Sequence, residues 1–392
     1  MISLTDEQRD AIVKACTWYY DTKYKKKNYF IISGYAGTGK STIVNILIKV
    51  LGLADYNVLF AAFTGKAALI LRIKGCQANT IHKSFYNISY NDKGMYYFYL
   101  KKSLPSMVKL IVIDEFSMIN DKMIADILSF NIPVIFLGDI GQLPPVIGSN
   151  SMLKDTKNID AQLTKVLRQN DTSGILHYAT AARNGEELKI GSYKNCRVLH
   201  LKDVEDITKY DIILCWKNST RKFFNQAVRN ALHITSPYPV KGERIIGLKN
   251  NYFHQIEYEN IPIFPVNGLP STVVENYKKT KDSHNILLQY RPDFIKDPKG
   301  PFFKTLCHTD YFDIYNTNIE KDVFISSELQ EDDIVHLDYG YALSVHRSQG
   351  SEYKRGLLLD EYVGNTETRN KFLYTGITRF MQGVDIVINY RR

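Results

Sequence analysis

A glycine-rich turn between an apolar strand and a helical segment constrains this chain more than any other feature. Residues 34–42 have the sequence GYAGTGKST, after YFII at 29–32 and before IVNILI at 43–48. Glycines allow backbone N–H groups to surround phosphate oxygens, while Lys40 can neutralise the β- and γ-phosphates and Ser41 can ligate Mg²⁺. The pattern therefore predicts a strand, a phosphate-binding loop and a helix that bind a nucleoside triphosphate.

This loop predicts the ligand but leaves the activity open, because many unrelated enzymes share it. An ordinary strand-to-helix connection is the alternative interpretation. The complete G-x-x-x-x-G-K-[ST] spacing, in the required position between a strand and a helix, disfavours that alternative. The activity has to be inferred from the rest of the chain.

The composition is that of a globular protein with room for two or three domains. The chain has 392 residues, 44% of them apolar, and we expect neither a membrane span nor a secretory leader. We therefore expect a cytosolic protein, in the host cytoplasm if a phage encodes it. The five cysteines include no C-x-x-C pair, which disfavours a zinc ribbon and a disulfide framework. The net charge of +9 favours a polyanionic partner, although basic solvated surfaces are also common.

Two adjacent carboxylates follow a second apolar run. Residues 110–113 are LIVI, and Asp114 and Glu115 come directly after them. Ligands bind at the carboxyl ends of buried parallel strands, so this pair is expected where the nucleotide binds. Asp114 would hold Mg²⁺ through water, and Glu115 would polarise the water that attacks the γ-phosphate. The alternative is a solvated acidic pair at the end of a strand.

A third apolar run makes the pattern specific. Residues 134–137 are VIFL and lead into GDIGQLPPV at 138–146. Taken with Asp114 and Glu115, this sequence resembles motifs II and III of the superfamily 1 helicases, in the branch that contains RecD, Dda, TraI and Pif1. The resemblance implies that Gln142 senses the γ-phosphate and couples it to a DNA-binding surface. The compact length also resembles that of a minimal phage or plasmid helicase.

Two further segments resemble nucleotide-contacting motifs of this family. Residues 4–12, LTDEQRDAI, resemble the Q motif, and the amide of Gln8 can pair with the N6 and N7 edge of adenine. Residues 163–169, LTKVLRQ, resemble motif IV, which implies that Arg168 reaches the γ-phosphate.

The last two motifs lie near the end of the chain. Residues 341–352 closely match motif V and residues 373–379 match motif VI. The resemblance implies that Arg379 is the arginine finger, which stabilises charge on the transferring phosphoryl group. Motif VI departs from the family at Gly376, where relatives commonly have alanine, and at Phe380, where they have a small residue.

These motifs together give the predicted nucleotide site. The predicted catalytic residues are Lys40, Asp114, Glu115, Gln142, Arg168 and Arg379. The predicted ATP contacts are Gln8, Gly37, Thr38, Gly39, Lys40, Ser41, Thr42, Gly350 and Glu352. The predicted Mg²⁺ site uses Ser41 and Asp114.

Other segments resemble the nucleic-acid-contacting motifs of the family. Residues 61–68 resemble motif Ia, with Phe63 where relatives usually have proline, and residues 80–82 match its Thr-Ile-His element. Residues 211–221 resemble a strand followed by the family's Thr-Asn-x-x-x-Arg element. The residues implied to contact nucleic acid are Thr64, Lys66, Thr80, His82, Asn218, Arg221 and His346. Considered singly, such arginines are more often surface ion-pair residues and such histidines packed residues.

Aromatic residues are concentrated in a predicted hairpin at 84–106. Two aromatic-rich strands flank the sequence NDKG at 91–94, a composition typical of a hairpin turn. The family resemblance implies that this hairpin is the 1B pin that splits the duplex, with Tyr97 and Phe98 as its strand-separating residues. The alternative is an aromatic hairpin that packs on its own domain.

The predicted fold class is α/β, with two RecA-like motor domains built on parallel sheets flanked by helices. The first motor domain, 1A, would cover 1–165 and include the pin. The second, 2A, would cover 166–240 and 333–392. Residues 241–332, with short strands and turn glycines, would form an SH3-like 2B insertion, and the sequence leaves the fold of 275–330 open.

We therefore expect an ATP-dependent DNA helicase that moves on single-stranded DNA, 5′ to 3′ as the resemblance implies. Its expected partners are single-stranded DNA and junctions of single- and double-stranded DNA, with a single-strand-binding, replication or recombination protein as a candidate partner and a monomer as the default. The alternative is an ATP-driven translocase or remodeller that does not separate strands. A nucleotide kinase or switch GTPase is disfavoured, because it would not explain Gln142, Arg168 or motif V.

Overall fold

The computed structural model of the protein describes residues 4–21, 27–90, 96–166, 173–281, 284–312 and 333–390. The chain divides into two compact units, Met1–Leu176 and His177–Arg392. Each unit is built on a parallel sheet, which confirms the predicted α/β class with two RecA-like sheets. No described helix combines the length and the apolar character needed to cross a bilayer.

The first unit alternates strands with helices along the chain. Its described helices are α1 (Asp6–Tyr20), α2 (Lys40–Val50), α3 (Gly65–Ile73), α4 (Ile81–Phe85), α5 (Asp121–Leu128) and α6 (Ser151–Lys154), with 3₁₀ turns at Asp55–Asn57, Phe116–Met118 and Thr156–Asn158. Its described strands are β1 (Tyr29–Gly34), β2 (Val58–Ala62), β3 (Ala78–Thr80), β4 (Tyr86–Tyr90), β5 (Tyr96–Leu100), β6 (Leu110–Asp114), β7 (Val134–Gly138) and β8 (Ala161–Leu163).

Six of these strands form a sheet in the order β3-β2-β6-β7-β1-β8, and every neighbouring pair is parallel. The apolar runs are continuous because both faces of the sheet are buried. In β1, Phe30 and Ile32 belong to a core cluster with α1, α2 and α3, whereas Ile31 belongs to a second cluster with α4 and α5. The helices therefore cover both faces.

The strands β4 and β5 pair with each other in an antiparallel hairpin, from Tyr86 opposite Leu100 to Tyr90 opposite Tyr96. They lie where the sequence predicted two hairpin strands. The predicted turn at 91–94 lies outside the described residues.

The second unit contains two larger sheets. Its described helices are α7 (Gly174–Asn184, whose first turn lies in the first unit), α8 (Asn218–Ala231), α9 (Val345–Ser348) and α10 (Thr366–Ile377), with 3₁₀ turns at Leu201–Asp203 and Thr309–Phe312. Its described strands are β9 (Gly191–Tyr193), β10 (Cys196–Leu199), β11 (Ile212–Cys215), β12 (Arg244–Gly247), β13 (Ile256–Tyr258), β14 (Ile261–Ile263), β15 (Pro270–Lys279), β16 (Asn285–Pro292), β17 (Phe303–His308), β18 (Leu337–Tyr339), β19 (Ala342–Ser344), β20 (Tyr353–Glu361) and β21 (Phe380–Tyr390).

The motor-like sheet of this unit has the order β19-β11-β20-β21-β10-β9, and only the β9–β10 pair among these strands is antiparallel. The second sheet is antiparallel, in the order β17-β16-β15-β12-β18, and β13 and β14 form a separate hairpin. This antiparallel sheet occupies the predicted insertion, and β18 continues it past residue 332. The SH3-like assignment and the domain limits stay predictions.

Candidate nucleotide and nucleic-acid sites

The strands of the first sheet all end at the same edge, because every neighbouring pair is parallel. In the order of the strands, this edge carries Thr80 at the end of β3, Thr64 after β2, Asp114 at the end of β6, Gln142 after β7 and Lys40 after β1. The structure thus brings predicted nucleic-acid contacts and predicted nucleotide contacts of the first unit to one edge.

The loop between β1 and α2 has the backbone that phosphate binding requires. Gly37 and Gly39 have φ angles of 80° and 81°, in the left-handed region that favours glycine. A Cβ atom at Gly34 would lie 2.7 Å from Thr38 Oγ1, so the loop can fold this closely only with glycine there. The ammonium of Lys40 donates hydrogen bonds of 2.7 and 3.1 Å to two carbonyl oxygens of the loop. The positive charge therefore lies inside the loop.

The remaining loop residues occupy the first turn of α2. The helix begins at Lys40, and Gly39 provides no side-chain cap. Ser41 and Thr42 follow directly, at the positive end of the helix dipole, where a phosphate group is stabilised. This arrangement fits the phosphates of a nucleotide.

Gln8 is buried and joins the start of α1 to this loop. Its Nε2 donates a hydrogen bond to the carbonyl oxygen of Thr38 at 2.9 Å, and its Oε1 accepts one from the backbone N–H of Thr5 at 3.0 Å. The second contact is half of a capping box, since the Thr5 hydroxyl accepts from the backbone N–H of Gln8. A glutamine amide has two donors and two acceptor sites, so one of each remains for the predicted adenine contact.

Glu7 connects the start of α1 to the segment after β8, a contact that the sequence did not predict. Its carboxylate accepts hydrogen bonds from the backbone N–H groups of Thr164 at 2.7 Å and Lys165 at 3.1 Å. Partial burial works to raise the pKa of Glu7, but the hydrogen bonds from Thr164 and Lys165 outweigh it and leave that pKa below its usual value. No local pattern shows this contact, because Thr164 lies 157 residues further along the chain. The same segment leads to Arg168, which lies outside the described residues.

Asp114 and Glu115 occupy the middle of the edge. Asp114 Oδ1 accepts a hydrogen bond from the backbone N–H of Glu115 at 2.9 Å. Burial raises the pKa of Asp114, against the opposing effect of the nearby charges of Lys40 and Lys74. A desolvated carboxylate beside a lysine is a suitable place for a cation, which would restore its ionised form. The carboxylate of Asp114 and the hydroxyl of Ser41 are oxygen donors of the kind that Mg²⁺ prefers.

Glu115 has a backbone φ of 56°, in the left-handed region that a residue with a side chain rarely adopts. Such a conformation costs on the order of 1–3 kcal/mol and is found most often at functional positions. Asn150 supports the turn, because its Nδ2 donates a 2.8 Å hydrogen bond to the carbonyl oxygen of Phe116. The strain lies at the residue that the sequence predicted to polarise the attacking water.

Gln142 is buried in the loop after β7. Asp139 organises this loop: its carboxylate accepts a 2.9 Å hydrogen bond from the backbone N–H of Gly141 and faces Gln142 Nε2 at 3.5 Å. Asp139 is itself buried. Asp139 lies within the motif at 138–146, but the sequence did not predict it as a site residue; its contacts with Gly141 and Gln142 stabilise the loop.

The predicted nucleic-acid contacts after β2 and β3 are helix caps. The Thr64 hydroxyl accepts from the backbone N–H of Ala67 at 3.1 Å at the start of α3. The Thr80 hydroxyl accepts from the backbone N–H of Lys83 at 3.3 Å at the start of α4. Both loops therefore end in helix N-termini, which favour phosphate oxygens of a bound strand. Lys66, in the first turn of α3, is partly exposed.

The hairpin of β4 and β5 contacts the carboxyl edge of the first sheet through His82. Its ring lies 4.7 Å from the ring of Phe98 and 5.7 Å from that of Tyr86. Burial lowers the pKa of His82, so the ring is neutral near pH 7. Tyr97, Phe98 and Tyr99 remain 51%, 42% and 48% exposed. Phe98 thus contacts its own unit through His82, while all three rings keep a large exposed surface, and the role of the pin stays a prediction.

In the second unit, Gly350, Glu352 and Arg379 lie at the amino edge of the parallel sheet. β20 and β21 run in parallel from Tyr353 onward, and the backbone N–H of Tyr353 donates to the carbonyl oxygen of Arg379 at 2.8 Å. The two motifs are thus adjacent in space. The Arg379 side chain is buried, and its Nε donates a 3.1 Å hydrogen bond to the carbonyl oxygen of Thr375.

The predicted nucleic-acid contacts of this unit lie at the opposite, carboxyl edge. Asn218 begins α8 and is exposed, and His346 follows β19. Burial lowers the pKa of His346. Arg221 does not fit its predicted contact, because it is only 3% exposed and forms an ion pair with the buried Asp338. This arginine joins α8 to β18 and is not available to a bound strand.

The chain is similar to known proteins over nearly its whole length. Residues 3–203 match the family model of the AAA domain, and residues 339–382 match that of the UvrD-like helicase C-terminal domain. The ATP-dependent RecD2 DNA helicase of Deinococcus radiodurans is 27% identical over 356 residues, which cover 89% of this chain and 45% of that protein. The ATP-dependent DNA helicase dda of Enterobacteria phage T4 is 30% identical over 177 residues, 41% of this chain and 39% of that protein. The chain thus spans less than half the length of these two curated relatives.

A solved structure shows the same fold. That structure concerns DNA unwinding at forked dsDNA by two coordinating Pif1 helicases. It matches this chain with a TM-score of 0.59 at 18% identity. The match covers 100% of this chain and 93% of that one.

Proposed function

Because this chain belongs to the AAA domain family and to the RecD/Pif1-like branch of the superfamily 1 helicases, we propose that it is an ATP-dependent DNA helicase. It moves 5′ to 3′ on single-stranded DNA and separates the strands of a duplex ahead of it. The two curated relatives are named ATP-dependent DNA helicases, and the solved structure concerns unwinding of forked dsDNA.

The observation that carries this proposal is the order of the loops along one sheet edge. The phosphate-binding loop follows β1, the Gln142 loop follows β7, the Asp114 and Glu115 pair follows β6, and the Thr64 and Thr80 loops follow β2 and β3. Neighbouring strands lie about 4.8 Å apart, so the separation grows from one strand spacing between the Asp114 and Thr64 positions to four spacings, roughly 20 Å, between the Lys40 and Thr80 positions. A displacement of the loops that contact the γ-phosphate can therefore be transmitted to the DNA-contacting loops through neighbouring strands.

The residues of the first unit hold Mg²⁺-ATP. Lys40 and the N-terminus of α2 bind the phosphates, Ser41 and Asp114 hold the metal ion, and the remaining amide sites of Gln8 bind adenine. The metal ion, when bound, supplies positive charge that neutralises the phosphate oxygens. Glu115 accepts a proton from the attacking water, and its left-handed backbone conformation, rare for a residue with a side chain, supports a functional role for this position.

In the second unit, Arg379 is the candidate arginine finger by family resemblance, with Gly350 and Glu352 near it in the fold. The guanidinium is held by the carbonyl oxygen of Thr375 and by the Thr378 hydroxyl, at 3.1 and 3.3 Å. Arg379 supplies positive charge to the transition state, and Arg168 does so from motif IV. Replacement of Arg379 by alanine should abolish hydrolysis while DNA binding is retained, and loss of both would argue for a structural role.

The hairpin separates the strands. Its aromatic residues Tyr97 and Phe98 are exposed, and Phe98 contacts His82, a predicted DNA contact. Exposed aromatic rings can stack on the last base pair of a duplex and hold it open. This exposed aromatic surface beside a predicted DNA contact supports strand separation over translocation alone.

The proposal is tested by ATP hydrolysis with and without single-stranded DNA, together with unwinding of duplexes that have either a 5′ or a 3′ tail. We expect stimulated hydrolysis, and unwinding of the 5′-tailed duplex alone. Lys40→Ala should abolish both, since the phosphate charge is left uncompensated. Stimulation without unwinding would support the translocase alternative, and absence of stimulation would refute the nucleic-acid part of the proposal.

A further inference from the structure

Aromatic residues follow three neighbouring strands of the second parallel sheet. β19, β11 and β20 are adjacent in the sheet and parallel, so their carboxyl ends lie at one edge. His346 comes shortly after β19, Trp216 directly after β11 and Tyr362 directly after β20. We call these three residues the aromatic edge. The family resemblance implied a role for His346 alone.

The aromatic edge is accessible. Tyr362 is 74% exposed and Trp216 is partly exposed. The Trp216 ring lies 4.7 Å from that of His346 and makes an edge contact with Phe372 at 5.6 Å. Two aromatic side chains of the same unit thus contact the Trp216 ring, while part of its surface stays exposed.

A buried carboxylate fixes the position of this edge. Glu361 is 2% exposed and accepts hydrogen bonds from the backbone N–H groups of Trp216 and Lys217 and from the Thr220 hydroxyl. It ties the segment after β11 to the end of β20, the strand that Tyr362 directly follows. The carboxylate also neutralises the positive end of α8, which stabilises it there. Glu361 thus fixes the backbone at Trp216 beside the strand end that Tyr362 follows.

The polar surroundings complete the surface. Lys217 and Asn218 follow Trp216 and are both exposed. An exposed cation and an amide beside aromatic rings match the two parts of single-stranded nucleic acid, its phosphates and its bases. A protein-docking surface would instead require an extended apolar patch, and the neighbours here are polar.

We propose that the aromatic edge is a base-stacking surface for single-stranded DNA, in which Trp216 and Tyr362 stack on bases while Lys217 and Asn218 contact phosphates. This inference rests on the proposed function and names the residues of the second unit that hold the strand. Because every base has an aromatic face, the surface binds DNA with little sequence preference.

Tryptophan fluorescence tests the inference directly. The chain has two tryptophans, Trp18 and Trp216, so Trp18→Phe leaves Trp216 as the only tryptophan. Trp18 is buried in α1 of the first unit, and phenylalanine retains a ring there. Oligothymidylate is added to this variant while the anisotropy of a fluorescein-labelled copy reports binding independently. We expect quenching of Trp216 emission that follows the anisotropy curve.

Affinity measurements give a second test. Tyr362→Ala should weaken oligothymidylate binding at least about 5-fold, the lower end of the effect of losing one stacked base. Tyr193→Ala is the matched control, because Tyr193 is also exposed but lies on β9, at the far end of the same sheet. Saturated binding with unchanged Trp216 emission would overturn the inference, as would equal affinities of the two variants. Failure of the unmodified protein to bind the oligonucleotide would overturn the proposed function as well.

Discussion

Replacement of Gln8 by alanine should reduce the preference of the enzyme for ATP over GTP. Gln8 has two tasks in the proposed site: its Nε2 supports the phosphate-binding loop through the Thr38 carbonyl, and its remaining amide sites bind adenine. The first task is independent of the base. The second distinguishes adenine from guanine, because guanine presents an acceptor where adenine presents a donor.

The expected magnitudes follow from the hydrogen bonds. Loss of the bond to Thr38 costs about 1 kcal/mol with either nucleotide, and loss of the adenine contact costs about 1 kcal/mol more with ATP. In Gln8→Ala, kcat/KM should therefore fall roughly 30-fold for ATP and roughly 5-fold for GTP. The ratio between the two nucleotides should fall roughly 5-fold.

The assay is steady-state hydrolysis of ATP and GTP at saturating single-stranded DNA. Thr5→Ala is the control, because it removes the other half of the capping box and destabilises α1 by about 1 kcal/mol without touching the nucleotide. It should leave the ATP to GTP ratio unchanged. If Gln8→Ala also leaves that ratio unchanged, Gln8 only supports the loop, and adenine recognition has been wrongly assigned.

Three further predictions concern other parts of the structure. Phe98→Ala should reduce unwinding of a 5′-tailed duplex but leave DNA-stimulated hydrolysis unchanged, and an equal loss of both would contradict the role of the pin. Gly356→Ala should destabilise the fold by about 1–3 kcal/mol in urea unfolding, because its Cβ would lie 2.1 Å from the Phe380 ring and 2.7 Å from the carbonyl oxygen of Ile212. Since part of this cost comes from the ring, Phe380→Ala should cost less stability in the Gly356→Ala chain than in the unmodified protein. Burial works to raise the pKa of Asp385, but hydrogen bonds, chiefly from Arg197, outweigh it and lower that pKa in the folded state. The stabilisation is therefore present above the unfolded value of about 3.9 and is lost as the pH falls further. The urea midpoints of the unmodified protein and Asp385→Asn should converge on acidification, and a constant difference would contradict this account.

Local sequence patterns were sufficient to predict the parts of the protein that are formed by short stretches of chain. The phosphate-binding loop, the buried strands and the acidic pair each occupy fewer than about ten residues, and such apolar runs with glycine turns are strong signals. The order of strands in the first sheet could not be predicted in the same way. It depends on which strands pair, and those contacts join residues far apart in the sequence, such as Gly34 and Leu163.

The error at Arg221 has the same origin. A motif identifies an arginine, but burial decides whether its charge faces a ligand or another side chain. Here α8 packs on β11 and β19 of the parallel sheet, and β18 of the antiparallel sheet places Asp338 against Arg221, with Lys222 close to the same carboxylate at 3.6 Å. No residue near Arg221 in the sequence predicts this partner, which lies 117 residues further along the chain.

The two departures from motif VI can be explained together by the packing of α10 and β21 on β20. A Cβ atom at Gly376 would lie 2.7 Å from the Leu358 side chain and 3.3 Å from that of Val345, so the alanine common in relatives would not fit here without movement. Phe380 is large, and it occupies the space above Gly356, where any side chain would overlap its ring. Each unusual residue is thus accommodated by a neighbour on β20. The small residue at Gly376 makes room for Leu358, and the small residue at Gly356 makes room for Phe380. The two departures therefore leave the backbone near Arg379 in place, and they give no reason to expect loss of hydrolysis.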